Sequence, residues 1–169
     1  EANLYRAMEQ LSHKNYKQVV KSVETSKEWP ENLGVGKPYD NMIDNRLEDY
    51  LEAKAAAGQG DSRKTSALLA AVADYTISRS HFESGNLLSA LALRESGKVQ
   101  EADHMVAAWS TDFPENRVVQ WCTAIYRGEK EKAVGMLQSR NDQTNTTPWE
   151  ASFRDSNFDL IVRLFSTEQ

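Results

Sequence analysis

Cysteine is nearly absent from this chain: Cys122 is the only one among 169 residues, beside 4 prolines and 8 glycines. A single thiol cannot close an internal disulfide, and it suits a cytoplasmic or a bacterial periplasmic location equally. Scarce proline and glycine, with abundant alanine and leucine, is the usage of a helical protein. No apolar run approaches the roughly 18 residues that a membrane helix needs, so membrane insertion is not expected. An excess of positive charge is also lacking. The net charge is -5 with the two signs interspersed, which argues against nucleic acid as the main partner. The chain begins Glu1-Ala2 without an initiator methionine, so we read it as a piece of a larger protein. Its length suits one domain, 1–169, able to bury well over half of its unfolded surface.

What is present is helical periodicity. Leu4, Ala7, Met8 and Leu11 fall at i, i+3, i+4 and i+7, one face of a helix. Asn15 follows as a cap, and Tyr16, Val19, Val20 and Val23 form a second face ending at Trp29-Pro30. Two helices with almost no loop between them must lie antiparallel. Residues 30–41 hold two prolines and two glycines and forbid a continuous helix. Periodicity resumes at Ile43, Leu47, Tyr50, Leu51 and Ala55. After Gly58-Gln59-Gly60, Asp61 or Ser62 caps a helix that faces Leu68, Leu69, Val72, Ala73 and Ile77 inward.

A serine-rich break at 78–84 precedes a third pair. Leu87, Leu88, Leu91 and Leu93 lead to Gly97, then Val99, Ala102, Val106 and Trp109 to Phe113-Pro114. A fourth pair carries Val118, Val119, Trp121, Ala124 and Ile125 up to Gly128, then Ala133, Val134 and Leu137. Residues 141–148 have linker composition. Asp155-Ser156 then caps a last helix with Phe158, Leu160, Ile161, Leu164 and Phe165. The expectation is all-α: about nine helices, as hairpins near 2–29, 42–78, 84–112 and 116–139, with a capping helix near 155–166.

The hairpins share a pattern. From Gly97, residues Ala102, Val106, Trp109 and Pro114 follow at offsets 5, 9, 12 and 17, and Gly128, Ala133 and Leu137 repeat the first three 31 residues later. Tyr16, Val19, Val23 and Pro30 form a degenerate copy, with Lys14 where the glycine would stand. In the second pair Gly58 and Gly60 compete for the turn. A small residue such as Ala102 or Ala133 lets two helices approach closely, and a turn glycine ends a helix in the left-handed conformation at little cost.

This pattern, over roughly residues 4–140, resembles the tetratricopeptide repeat. The resemblance implies hairpins stacked as a right-handed superhelix, each covering a neighbour's apolar face, with a cap at the end. A narrower likeness lies in Trp29-Pro30-Glu31-Asn32-Leu33-Gly34-Val35-Gly36-Lys37-Pro38-Tyr39-Asp40. It is similar to a segment of bacterial proteins, several from Bacteroides-type bacteria, in which a β-rich domain similar to carbohydrate-active modules precedes the repeats. That likeness implies the C-terminal repeat half of such a protein.

Few residues suggest chemistry. Gly34-Val35-Gly36-Lys37 lacks the four-residue spacing and the hydroxyl residue of a phosphate loop. The segment reads as a connector, or as a docking loop using Asn32, Gly34, Gly36, Lys37 and Tyr39. His13, His81 and His104 lack metal-ligand spacing, and no metal or other cofactor is expected. Cys122 reads as a small buried apolar residue. The pairs Glu48-Asp49 and Glu129-Glu131 read as solvated charges, and Asn145-Thr146-Thr147 is a common acceptor motif of little weight. Trp109 and Trp121 read as core; Trp149 and Phe153 are less committed.

In the repeat geometry, first helices line the concave wall. The residues expected there are Glu48, Glu52, Ser84, Leu87, Leu91, Arg94, Glu95, Val118, Cys122, Ile125 and Tyr126. Only Arg94 fits a clamp for a chaperone C-terminus. The leading expectation is a non-catalytic scaffold whose partner is a protein, either another chain or its own upstream domain, in an oligomeric state left open. Its competitors are a structural brace, and an accessory sugar-binding part of a carbohydrate-processing enzyme.

Overall fold

A computed structural model of the protein describes residues 1–28, 43–79, 81–141, 155 and 157–167. The loop residues Asn32, Gly34, Gly36, Lys37 and Tyr39 lie outside these, as do Ser156, Trp149 and Phe153. Among the described residues there are nine helices and no strand. They are α1 (Ala2–Ser12), α2 (Tyr16–Lys27), α3 (Arg46–Gly58), α4 (Ser62–Ile77), α5 (Gly85–Glu95), α6 (Val99–Asp112), α7 (Arg117–Tyr126), α8 (Lys130–Asn141) and α9 (Phe158–Thr167).

The four tight turns are built alike. Lys14, Gly60, Gly97 and Gly128 all have positive φ. The next residue in each turn donates its N–H five residues back: Asn15 to Gln10, Asp61 to Ala56, Lys98 to Leu93 and Glu129 to Ala124, at 2.8 to 2.9 Å. This closure satisfies the last carbonyls of the first helix and reverses the chain. It settles the competition in the second pair, where Gly60 rather than Gly58 takes the left-handed position. Lys14 does the same job with a side chain, at φ 58°, a conformation that is unfavourable for a residue with a Cβ. Side-chain capping differs among the second helices. Asp61 accepts from the Lys64 N–H at 2.9 Å, whereas Asn15 turns its side chain to Gln10 instead.

Each helix from α1 to α7 packs on its successor, and the odd helices also pack in series, α1 on α3, α3 on α5 and α5 on α7. The odd helices therefore form one layer and the even ones a second. The core follows the periodicity, with Leu4, Val19, Leu51, Val72, Leu88, Ala102 and Val119 all buried. Three residues depart from it. Ile77, expected to face inward, is 60% exposed, and Val99 and Val134, part of the apolar pattern of their helices, are 46% and 42% exposed. Val99 and Ile77 sit at helix ends, beyond the reach of the neighbouring helix. Val134 lies on α8, which packs on α7 and has no further hairpin against it among the described residues.

Helix α9 is not only a cover for the last hairpin. It packs on α1, its Phe158 ring meets Trp121 of α7 edge to face at 5.3 Å, and Asp159 pairs with Arg140 of α8 at 2.8 Å. Buried Phe158, Leu160, Ile161 and Leu164 form two adjacent rows, a stripe wide enough to serve both ends of the odd layer. Each such burial contributes about 1.5–3 kcal/mol.

Candidate functional site

Two places in the molecule concentrate polar chemistry, one at each end of α5. At the start of α5, Arg46 is almost wholly buried. Its Nε and Nη2 donate to the two carboxylate oxygens of Asp44 at 2.9 and 2.8 Å. Nη2 also donates to Glu83 at 2.7 Å, and Nη1 to Thr76 at 2.8 Å and Asn86 at 2.6 Å. A guanidinium has five N–H donors, and these five acceptors use all of them. The group also lies over the Tyr75 ring, 4.6 Å from its centre. Gly85 is required beside it, because a Cβ there would stand 2.6 Å from the Arg46 Cζ. Nothing is left to hold a ligand, so the node acts as a fastener joining α3, α4 and α5. Next to it, Ser84 donates its backbone N–H and its hydroxyl to Asp155, at 2.6 and 2.9 Å, which anchors the approach to α9.

The residues expected along the concave wall separate into three groups. Ser84, Leu87, Val118 and Cys122 are buried and present no free wall. Glu52 faces the even layer instead, between Lys27 of α2 at 3.2 Å and Lys64 of α4 at 2.8 Å. Burial alone would raise its carboxyl, but Lys64 and Lys27 outweigh burial and hold it low. Glu48 is half-buried, and burial pushes its carboxyl up. Glu95 is occupied by the Tyr50 hydroxyl at 2.7 Å and Lys54 at 2.8 Å.

The third group converges. Leu91, Arg94, Ile125 and Tyr126 line one cleft of about 350 Å³ between α5, α7, α8 and α9. Its remaining wall comes from Trp121, Arg127, Gly128, Lys130, Ala133, Val134, Leu137, Phe165 and Ser166. Among the described residues the lining is mostly apolar and carries three cations and no carboxylate. Arg94 donates to the Tyr126 carbonyl at 2.8 Å and covers that ring at 4.7 Å. The Tyr126 hydroxyl donates to Asp103 at 2.7 Å, and burial together with that carboxylate pushes its pKa up to about 12. Arg127 and Lys130 are exposed. The indole N–H of Trp121 is buried with no acceptor among the described residues, an arrangement that costs about 1–3 kcal/mol.

Sequence reasoning selected part of this cleft and missed Arg127, Lys130 and the contribution of α9. It also missed the Arg46 node. Arg46 stands beside Leu47 in an otherwise ordinary amphipathic run, and its distant partners lie 30 to 40 residues away.

Other candidates have simpler roles. Cys122 is fully buried, and burial pushes its thiol well above the usual range, which suppresses the reactive thiolate. Trp109 meets Phe82 edge to face at 5.2 Å and is buried, like Trp121. Among the described residues, no three His, Cys, Asp or Glu side chains are grouped to hold a metal ion, and no helix is long and apolar enough to cross a membrane. No family model, no curated protein and no solved structure matches the chain.

Proposed function

We propose that the chain is a non-catalytic interaction scaffold, a tetratricopeptide-like stack of hairpins that holds a partner protein or a neighbouring domain of its own polypeptide. The observation that carries this reading is the cleft at the end of α5, α7 and α8, where Val134 is exposed and Ile125, Leu137 and Phe165 are only half-buried beside cations. Shared turn geometry in all four hairpins supports it, because stacked units of one design give a stiff frame for a binding surface. The Arg46 node adds stiffness at the opposite end of α5.

A photo-crosslinking residue at Val134 tests the proposal, with Ile77 as an exposed apolar control. The expected result is a discrete adduct from Val134 only. The captured protein, once purified, should bind the chain and lose affinity for the Val134→Asp variant. Equal adducts from both positions, or none, would remove the reading.

A purely structural brace is the second reading, favoured by α9 joining α1 to α7 and α8. A brace would bind its own upstream domain in trans through other surfaces, and crosslinks from Val134 would be missing.

A further inference from the structure

We infer that the cleft between α5, α7, α8 and α9 binds a small amphipathic carboxylate, an apolar body that ends in one carboxylate group. This goes beyond the scaffold reading and does not depend on it.

Size is the first argument. A volume of about 350 Å³ stands at the low end of the roughly 300–1,000 Å³ range of small-molecule sites. It is large enough for a compact ligand. Chemistry is the second. Leu91, Trp121, Ile125, Val134, Leu137 and Phe165 give an apolar floor on which a hydrocarbon body can lose its water.

Charge supplies the third argument. The chain is acidic overall, with net charge -5, yet Arg94, Arg127 and Lys130 line this one cleft with no acid among the described lining residues. Arg94 is braced on Tyr126 and so is held in place. Arg127 and Lys130 have no ion-pair partner among the described residues. Glu129, next to Lys130 in sequence, is engaged first by Lys132, at 2.9 Å. A carboxylate at this rim would meet cations beside an apolar wall, where attraction is stronger than in bulk water.

Calorimetry on the full chain with octanoate, octanol and octyltrimethylammonium tests the inference. All three share the tail and differ in the head group. Octanoate should bind at one site, roughly tenfold more tightly than octanol, and octyltrimethylammonium should not bind. Octanoate should also move the Trp121 indole resonance in nitrogen–proton spectra. The paired change Arg127→Glu and Lys130→Glu should lower octanoate affinity by roughly tenfold, while octanol binding persists and reports an intact cleft. Lys17→Glu with Lys21→Glu alters net charge equally on the exposed face of α2 and should leave octanoate binding unchanged. Equal affinities for octanoate and octanol would overturn the inference. So would an equal loss in both charge variants, or no octanoate binding at millimolar concentration.

Discussion

Arg46 and Arg94 are a matched pair at opposite ends of one region, and they have opposite fates. Each lies over a tyrosine ring, at 4.6 Å from Tyr75 and 4.7 Å from Tyr126. Arg46 is sealed under two carboxylates, a hydroxyl and an amide, with every donor used. Arg94 is exposed and makes one backbone contact, at the edge of an apolar cleft. The difference teaches that residue type does not mark a binding site. What marks it is whether the fold has already supplied the partners. A saturated guanidinium is structure, and one with capacity left beside an apolar floor is a site.

The largest expected effect breaks the first member of this pair. Arg46→Met removes the guanidinium from Asp44, Asn86, Thr76 and Glu83, of which Asn86 and Thr76 are buried. It should cost about 3–5 kcal/mol in urea unfolding. A loss under about 1 kcal/mol would mean that water replaces the arginine freely and the node is not a fastener. The helix that runs between the two ends comes next. Ile161 of α9 is fully buried, so Ile161→Ala should cost about 2–4 kcal/mol in the same cooperative transition. A separate early transition would show α9 to be loosely attached and would divide the molecule differently.

Gly85→Ala sharpens the contrast from within the node. The new methyl would displace a guanidinium that five bonds hold in place, costing about 1–3 kcal/mol. Better helix propensity offsets up to about 1 kcal/mol of that. Unchanged or higher stability would show slack around Arg46. By comparison, Arg94→Met should change stability by less than about 1 kcal/mol, because an exposed cation contributes little. A loss as large as that of Arg46→Met would erase the distinction between the two ends.

The smallest effect concerns Glu48, whose carboxyl burial raises above the ordinary 4.5. A raised carboxyl pKa means that the native state prefers the protonated form. Its stabilising contribution is full below the ordinary value and disappears as pH rises through the folded one. Glu48→Gln cannot ionise, so it should match the parent near pH 4 and exceed it at pH 7. Urea midpoints at the two pH values measure this. A variant less stable at pH 7 would reverse the sign and show the charge to be favourable.

Much of the helical frame was legible because it is local. The i, i+3, i+4 rows at Leu4, Ala7, Met8 and Leu11, and the glycines at 97 and 128, act within a turn or two of chain. In the first hairpin Lys14, which stands where the other pairs have glycine, takes the same positive φ. Val99, Ile77 and Val134 show where this stops. Periodicity tells which face of a helix is apolar, not whether a neighbour covers that face. The candidate cleft was half legible for the same reason. Leu91, Arg94, Ile125 and Tyr126 follow from helix faces, whereas Arg127 and Lys130 join them only through the way α7 turns into α8 against α9.

By itself, then, the amino-acid order determined that the chain is helical and where its hairpins turn, because hydrogen bonding and side-chain spacing within a helix depend on near neighbours. Tertiary structure alone decided that α9 lies on α1 as well as α7, that Arg46 is sealed while Arg94 keeps capacity, and that three cations share one apolar cleft. Those outcomes depend on which surfaces meet across tens of residues, and burial is a property of the pair of surfaces rather than of either one.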